Sequence, residues 1–221
     1  MQAMERVHVI PDVGTTARPR PSSSRAWLLD PVAFHASFDE LYARVDRAEG
    51  LARMRWLATQ VWRSVDPVTH GYVDRLRTGS ADDWEAAYHD SHLVDWYRVL
   101  MADHLCPAPG VSDPRALRLG LPGLGWTPAE ARRAVYGREL MGLVEAYADP
   151  VVAGDIGPQL LVDSRGWLGP DDAEHALARL RGIDPAAFRD AQPLVPLVEE
   201  LYATLAVAAQ HPDRVLLVLA D

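Results

Sequence analysis

The chain contains no lysine and no asparagine, so all 22 of its basic residues are arginines. Without lysine there is no internal amine to form a Schiff base with a pyridoxal cofactor, and no lysine nucleophile. The lysine that reaches the phosphates in a P-loop is missing too. Pyridoxal phosphate and P-loop nucleotide binding are therefore disfavoured. Cys106 is the only cysteine, which excludes an internal disulfide and any single-chain site with two cysteine ligands. It lies in Leu105-Cys106-Pro107, where a helix is expected to end, and reads as a buried small hydrophobe rather than a nucleophile. No apolar run approaches the length of a membrane span, and the first residues lack the apolar core of a secretory signal. The expectation is a cytoplasmic protein with no membrane partner.

What is present is ordinary for a folded protein. The 221 residues are 48% hydrophobic and 24% charged, enough to bury a substantial core. The formal net charge is -9. Such a surface repels phosphate backbones, which argues against nucleic acid as the partner. It favours solubility and a basic protein partner or a cationic small molecule.

Residues 1–25 read as a mobile N-terminal segment. It holds a short strand candidate, Val7-His8-Val9-Ile10, and a Pro-, Ser- and Arg-rich stretch from Thr15 to Arg25. Residues 26–221 read as a single, mainly helical globular domain, with the helical pattern starting at Trp27. The pairs Asp30-Pro31, Asp66-Pro67, Asp113-Pro114 and Asp184-Pro185 mark helix starts, because aspartate caps free N–H groups and proline suits the first turn. Thr127 and Glu130 form a capping box. Helices are expected over 31–49, 51–64, 67–77, 81–105, 128–148, 171–181 and 196–210. Loops are expected over 106–125 and 149–158, and a strand at Gln159–Val162. The final run, Arg214 to Leu219, has no helical stripe and reads as a buried strand, able to pair with Val7–Ile10. The fold class is thus mainly α, a compact multi-helix domain with a small β-sheet formed by terminal strands (α+β).

One constellation has the residue types of a reactive site. On the expected helix 81–105, Glu85, His89 and His92 follow i, i+4, i+7 spacing and share one stripe with Trp96. Two imidazoles and a carboxylate suit a transition metal and leave positions open for water or substrate. The same groups without a metal suit acid–base catalysis. Against this, Glu-x3-His-x2-His matches no established zinc pattern. Trp84, Trp96 and Arg165 are candidate ligand-binding residues, with Arg165 holding an anionic group. Seven tryptophans in an acidic chain also suit a cation–π cage. The run Gly120-Leu121-Pro122-Gly123-Leu124-Gly125 has the wrong spacing for a dinucleotide fingerprint and reads as a tight connection. Asp163-Ser164-Arg165-Gly166 lacks the frame of a hydrolase elbow, and His104 reads as a core histidine.

From Gly166-Trp167-Leu168-Gly169 to the terminal Arg214–Leu219 run, the layout resembles small bacterial domains of the YfbM-like kind, a likeness that implies no activity. Two functional readings follow from the residues. The first is a soluble binding or accessory protein with an acidic surface. The second is a small-molecule enzyme, metal-dependent or not, that uses Glu85, His89 and His92.

Overall fold

The computed structural model describes residues 26–43, 52–53, 56–57, 93–162 and 165–219. Five short strands run among them: β1 (Ala26–Leu29), β2 (Cys106–Ala108), β3 (Arg138–Glu139), β4 (Arg165–Leu168) and β5 (Val215–Leu219). They form one antiparallel sheet in the order β2-β1-β5-β4-β3. Eight α-helices lie among the described residues. They are α1 (Pro31–Tyr42), α2 (Leu93–His104), α3 (Pro114–Gly120), α4 (Pro128–Tyr136), α5 (Met141–Tyr147), α6 (Pro150–Ile156), α7 (Pro170–Arg181) and α8 (Val195–Ala209). The fold class is mainly α with a small sheet, as the sequence indicates.

The sheet separates two cores. Trp27, Leu29, Trp167, Val215 and Leu217 face one side and pack with α1, α2, α5 and α6. Ala26, Leu28, Leu168, Leu216 and Val218 face the other and pack with α3, α4, α7 and α8. Successive strand side chains point to opposite faces, so a strand covered on both faces must be apolar throughout. That is why Val215-Leu216-Leu217-Val218-Leu219 shows no alternation.

The expected partner of this terminal strand is corrected by the sheet. Along β5, Leu216 and Leu217 pair with Leu28 and Trp27 on one side and with Leu168 and Trp167 on the other. Both edges are filled within the chain, which leaves none for Val7–Ile10, a segment outside the described residues. Trp27 likewise lies in a strand and not at a helix start, because Ala26–Leu29 is apolar on both faces.

The capping signals are confirmed where they are described. Asp30, Asp113 and Asp184 each accept from a backbone N–H two or three residues on, and Thr127 and Glu130 form their reciprocal pair. A further pair, Asp149-Pro150, starts α6 by accepting from the Val151 N–H at 2.8 Å, within the expected loop 149–158. The expected loop 106–125 holds β2, α3 and a 3-10 helix at Leu121–Leu124. Gln159–Val162 belongs to a 3-10 helix and not to a strand. The single helix expected over 128–148 is broken at Gly137, whose φ of +72° a right-handed helix cannot hold. A Cβ there would stand 2.6 Å from the Trp167 carbonyl oxygen, so the residue is also where β3 closes on β4. The expected helix 31–49 is seen to Tyr42, and 81–105 is described from Leu93. The helix expected over 51–64 is described only at 52–53 and 56–57, which are helical, and 67–77 lies outside the described residues. No helix among the described residues is long and apolar enough to cross a membrane.

Candidate functional site

Helix α1 buries Phe34, Phe38 and Leu41 in the first core. The neighbouring stripe of the same helix carries His35, Asp39 and Tyr42, at i, i+4 and i+7. This stripe runs along the margin of the core, where the end of α5 and then α6 pass. The contacts step along both elements together, with His35 against Tyr147, Asp39 near Asp149, and Tyr42 against Asp155.

His35 is buried and fully engaged. Its Nδ1 lies 2.7 Å from the Pro31 carbonyl oxygen, and its Nε2 lies 2.9 Å from the Tyr97 hydroxyl. A carbonyl oxygen only accepts, so Nδ1 carries a proton, while Nε2 shares a hydrogen bond with the Tyr97 phenol, which can donate or accept. Burial holds the His35 pKa below the usual histidine value, and the hydrogen bond to Pro31 partly offsets this. Tyr147 stacks on the ring, with centroids 6.0 Å apart at 19°, and Trp167 meets Tyr147 edge-on. Phe34 makes edge contacts with His35, Tyr97 and His104. His104, expected in the core, is half-buried at this margin. Burial lowers its pKa against the opposing pull of Asp103 and Asp30.

Asp39 is the electrostatically strained member. Its Oδ1 is shielded from solvent and accepts no hydrogen bond. Burial pushes its pKa up, and the nearby Asp149 adds to the shift. At the end of the stripe, Tyr42 donates to Asp155 Oδ2 at 2.7 Å. His35, with both nitrogens occupied, is poorly placed to exchange a proton with a bound molecule. The carboxylate of Asp39 is a hydrogen-bond acceptor lacking a partner, beside a like charge. A cation brought to the seam would offset the repulsion between Asp39 and Asp149.

Of the candidates read from the sequence, Glu85, His89, His92 and Trp84 lie outside the described residues. Trp96 is buried in the first core. Arg165 is only 2% exposed, on β4 opposite Leu219 of β5. Cys106 corrects its expectation, because it is exposed. It lies on β2, the edge strand, and its Sγ accepts from Arg214 Nη1 at 3.3 Å. Among the described residues no group of three or more His, Cys, Asp or Glu could hold a metal ion. Sequence reading passed over His35, Asp39 and Tyr42, although their spacing is that of Glu85, His89 and His92. The signal was their position beside the Phe34, Phe38, Leu41 stripe. Tyr147 and Asp149 had no signal, since the chain there was read as a helix end and a loop. Comparison with family models, curated proteins and solved structures finds no match.

Proposed function

We propose that this is a cytoplasmic, non-catalytic binding or accessory protein whose acidic surface receives a basic protein partner at the seam between α1 and α6. The observation that carries the reading is Asp39, a carboxylate whose charge is opposed by burial and by Asp149 while one oxygen lacks a hydrogen bond. Groups that cost stability persist where function uses them. An arginine or lysine from a partner, placed near the two carboxylates, would offset the repulsion between Asp39 and Asp149. The net charge of -9 supports the same reading by drawing basic partners in at long range, and it argues against nucleic acid.

The test uses a labelled octa-arginine peptide, with anisotropy read in about 0.15 M salt, where long-range attraction is screened beyond about 8 Å. The expected result is binding that weakens about five- to tenfold in Asp39→Asn/Asp149→Asn, in line with two partly exposed charge contacts of up to about 1 kcal/mol each. Equal affinity in the wild type and the double variant would show attraction by net charge alone and overturn the seam as the site.

A further inference from the structure

The glycine-rich run has a second property that the seam does not use. Gly123, Leu124, Gly125 and Trp126 form one wall of a groove of about 340 Å³, and the end of α7 with the turn after it forms the other. Its volume lies at the lower end of the range for small-molecule sites, about 300–1,000 Å³. Nothing stands within 4 Å of where a Cβ would sit on Gly123 or Gly125, so at these two positions the wall is bare backbone. Leu124, Ile183 and Ala187 supply apolar surface, and Arg179 and Asp184 supply one charge of each sign.

Arg179 is held in place but not used up. Its Nη2 donates to the Gly125 carbonyl at 2.9 Å and reaches Glu130 Oε2 at 3.5 Å. The guanidinium carbon lies 5.4 Å from the centre of the Trp126 ring. Its Nε is sealed from solvent with no partner, and neither of the hydrogen bonds the residue makes involves Nη1. A guanidinium fixed by its surroundings, with Nη1 left over for a ligand, is suited to a carboxylate. A purely anionic ligand fits less well. Asp184 lines the same groove, Glu130 stands behind Arg179, and the whole chain is negative. A ligand carrying both charges meets both ends and brings no net charge.

We propose that this groove binds a small zwitterion of the α-amino-acid class, with its carboxylate on Arg179 and its ammonium group toward Asp184. Glu130, already held by the Thr127 N–H and hydroxyl, stays with the helix cap and positions Arg179.

Calorimetric titration of the full chain with each of the twenty standard amino acids, and with inorganic phosphate, tests this. The expected result is one-to-one binding of at least one amino acid with Kd below about 1 mM, equivalent to about -4 kcal/mol, and no binding of phosphate. Arg179→Gln should weaken it at least about tenfold, as loss of a charged hydrogen bond does. Because Arg179 also ties the groove together, Gly123→Leu is the companion variant. Its Cβ would meet nothing within 4 Å, its fold is checked by far-UV circular dichroism, and a branched side chain on this wall should abolish binding. Binding of phosphate with no amino acid bound would overturn the ligand class. Absence of any binding, or wild-type affinity in folded Gly123→Leu, would overturn the site.

Discussion

Replacing Gly166 by alanine places a methyl group where β4 crosses the segment from Tyr136 to Arg138. Gly166 pairs with Glu139 on one side and Val218 on the other. A Cβ there would run into the Tyr136 carbonyl oxygen and stand 2.9 Å from the Arg138 carbonyl oxygen. Both obstacles are backbone, so no side-chain rotation relieves them. The segment is also pinned, with Gly137 at φ +72° and its own approach to Trp167 allowing little retreat. Overpacking a well-filled site costs about 1–3 kcal/mol and occasionally more, and this site combines a severe overlap with a rigid neighbour. The expected loss is about 3 kcal/mol or more from that range. For a chain of this size each kcal/mol moves Tm by about 2–4 °C, so the midpoint should fall by about 6–12 °C. Thermal unfolding measures the shift in midpoint and urea unfolding the loss in stability, both followed by tryptophan fluorescence. Gly123→Ala is the control. Nothing lies within 4 Å of its Cβ, so it should stay within about 1 kcal/mol of the wild type or gain slightly. A Gly166→Ala protein within about 0.5 kcal/mol of the wild type, the scatter of inert surface changes, would refute the reasoning that β4 crosses under a fixed backbone.

Four further outcomes are expected. The folded-state pKa of His35 is lowered, so its contribution to stability is complete above about pH 6.5, the unfolded value. It is lost as pH falls through the folded value. Urea midpoints at neutral and mildly acid pH should therefore differ less in His35→Phe than in the wild type, although His104 retains part of the slope. Asp39 is shifted the other way, so its ionisation weakens the fold as pH rises through its raised value. Asp39→Asn should melt higher than the wild type at neutral pH, with the gain disappearing in acid, where the wild-type carboxyl is already protonated. Thr127→Ala removes the hydroxyl half of the cap on α4 and leaves the Thr127 N–H bond to Glu130; it should cost about 0.5–2 kcal/mol in chemical denaturation. For the enzymatic alternative, elemental mass spectrometry of untagged protein should find no stoichiometric metal, with no difference in His89→Ala/His92→Ala. A metal lost in that variant would displace the binding reading in favour of catalysis at Glu85, His89 and His92.

Local chemistry was legible in the sequence. Aspartate before proline, the Thr127–Glu130 box and the apolar terminal run depend on neighbours within a few residues, and each appears in the structure as read. Gly137 also acts locally, but its effect was hidden because glycine is tolerated in helical patterns and only its positive φ reveals the break. Misreadings gathered where short apolar segments suit either strand or helix, as at Ala26–Leu29 and Gln159–Val162.

The candidate site was another matter. Tyr97 lies 62 residues from His35, and Asp155 lies 113 residues from Tyr42. No periodicity links such positions, because their meeting depends on how α1, α2 and α6 pack on one face of the sheet. The sequence by itself determined the acidic charge, the absence of lysine chemistry, the helix starts and the buried terminal strand, all set by residue type and near neighbours. Only the tertiary structure decided that β5 is central, that burial lowers the His35 pKa, and that Asp149 adds to the upward shift of Asp39. Each of those depends on which distant segments exclude water from the same place.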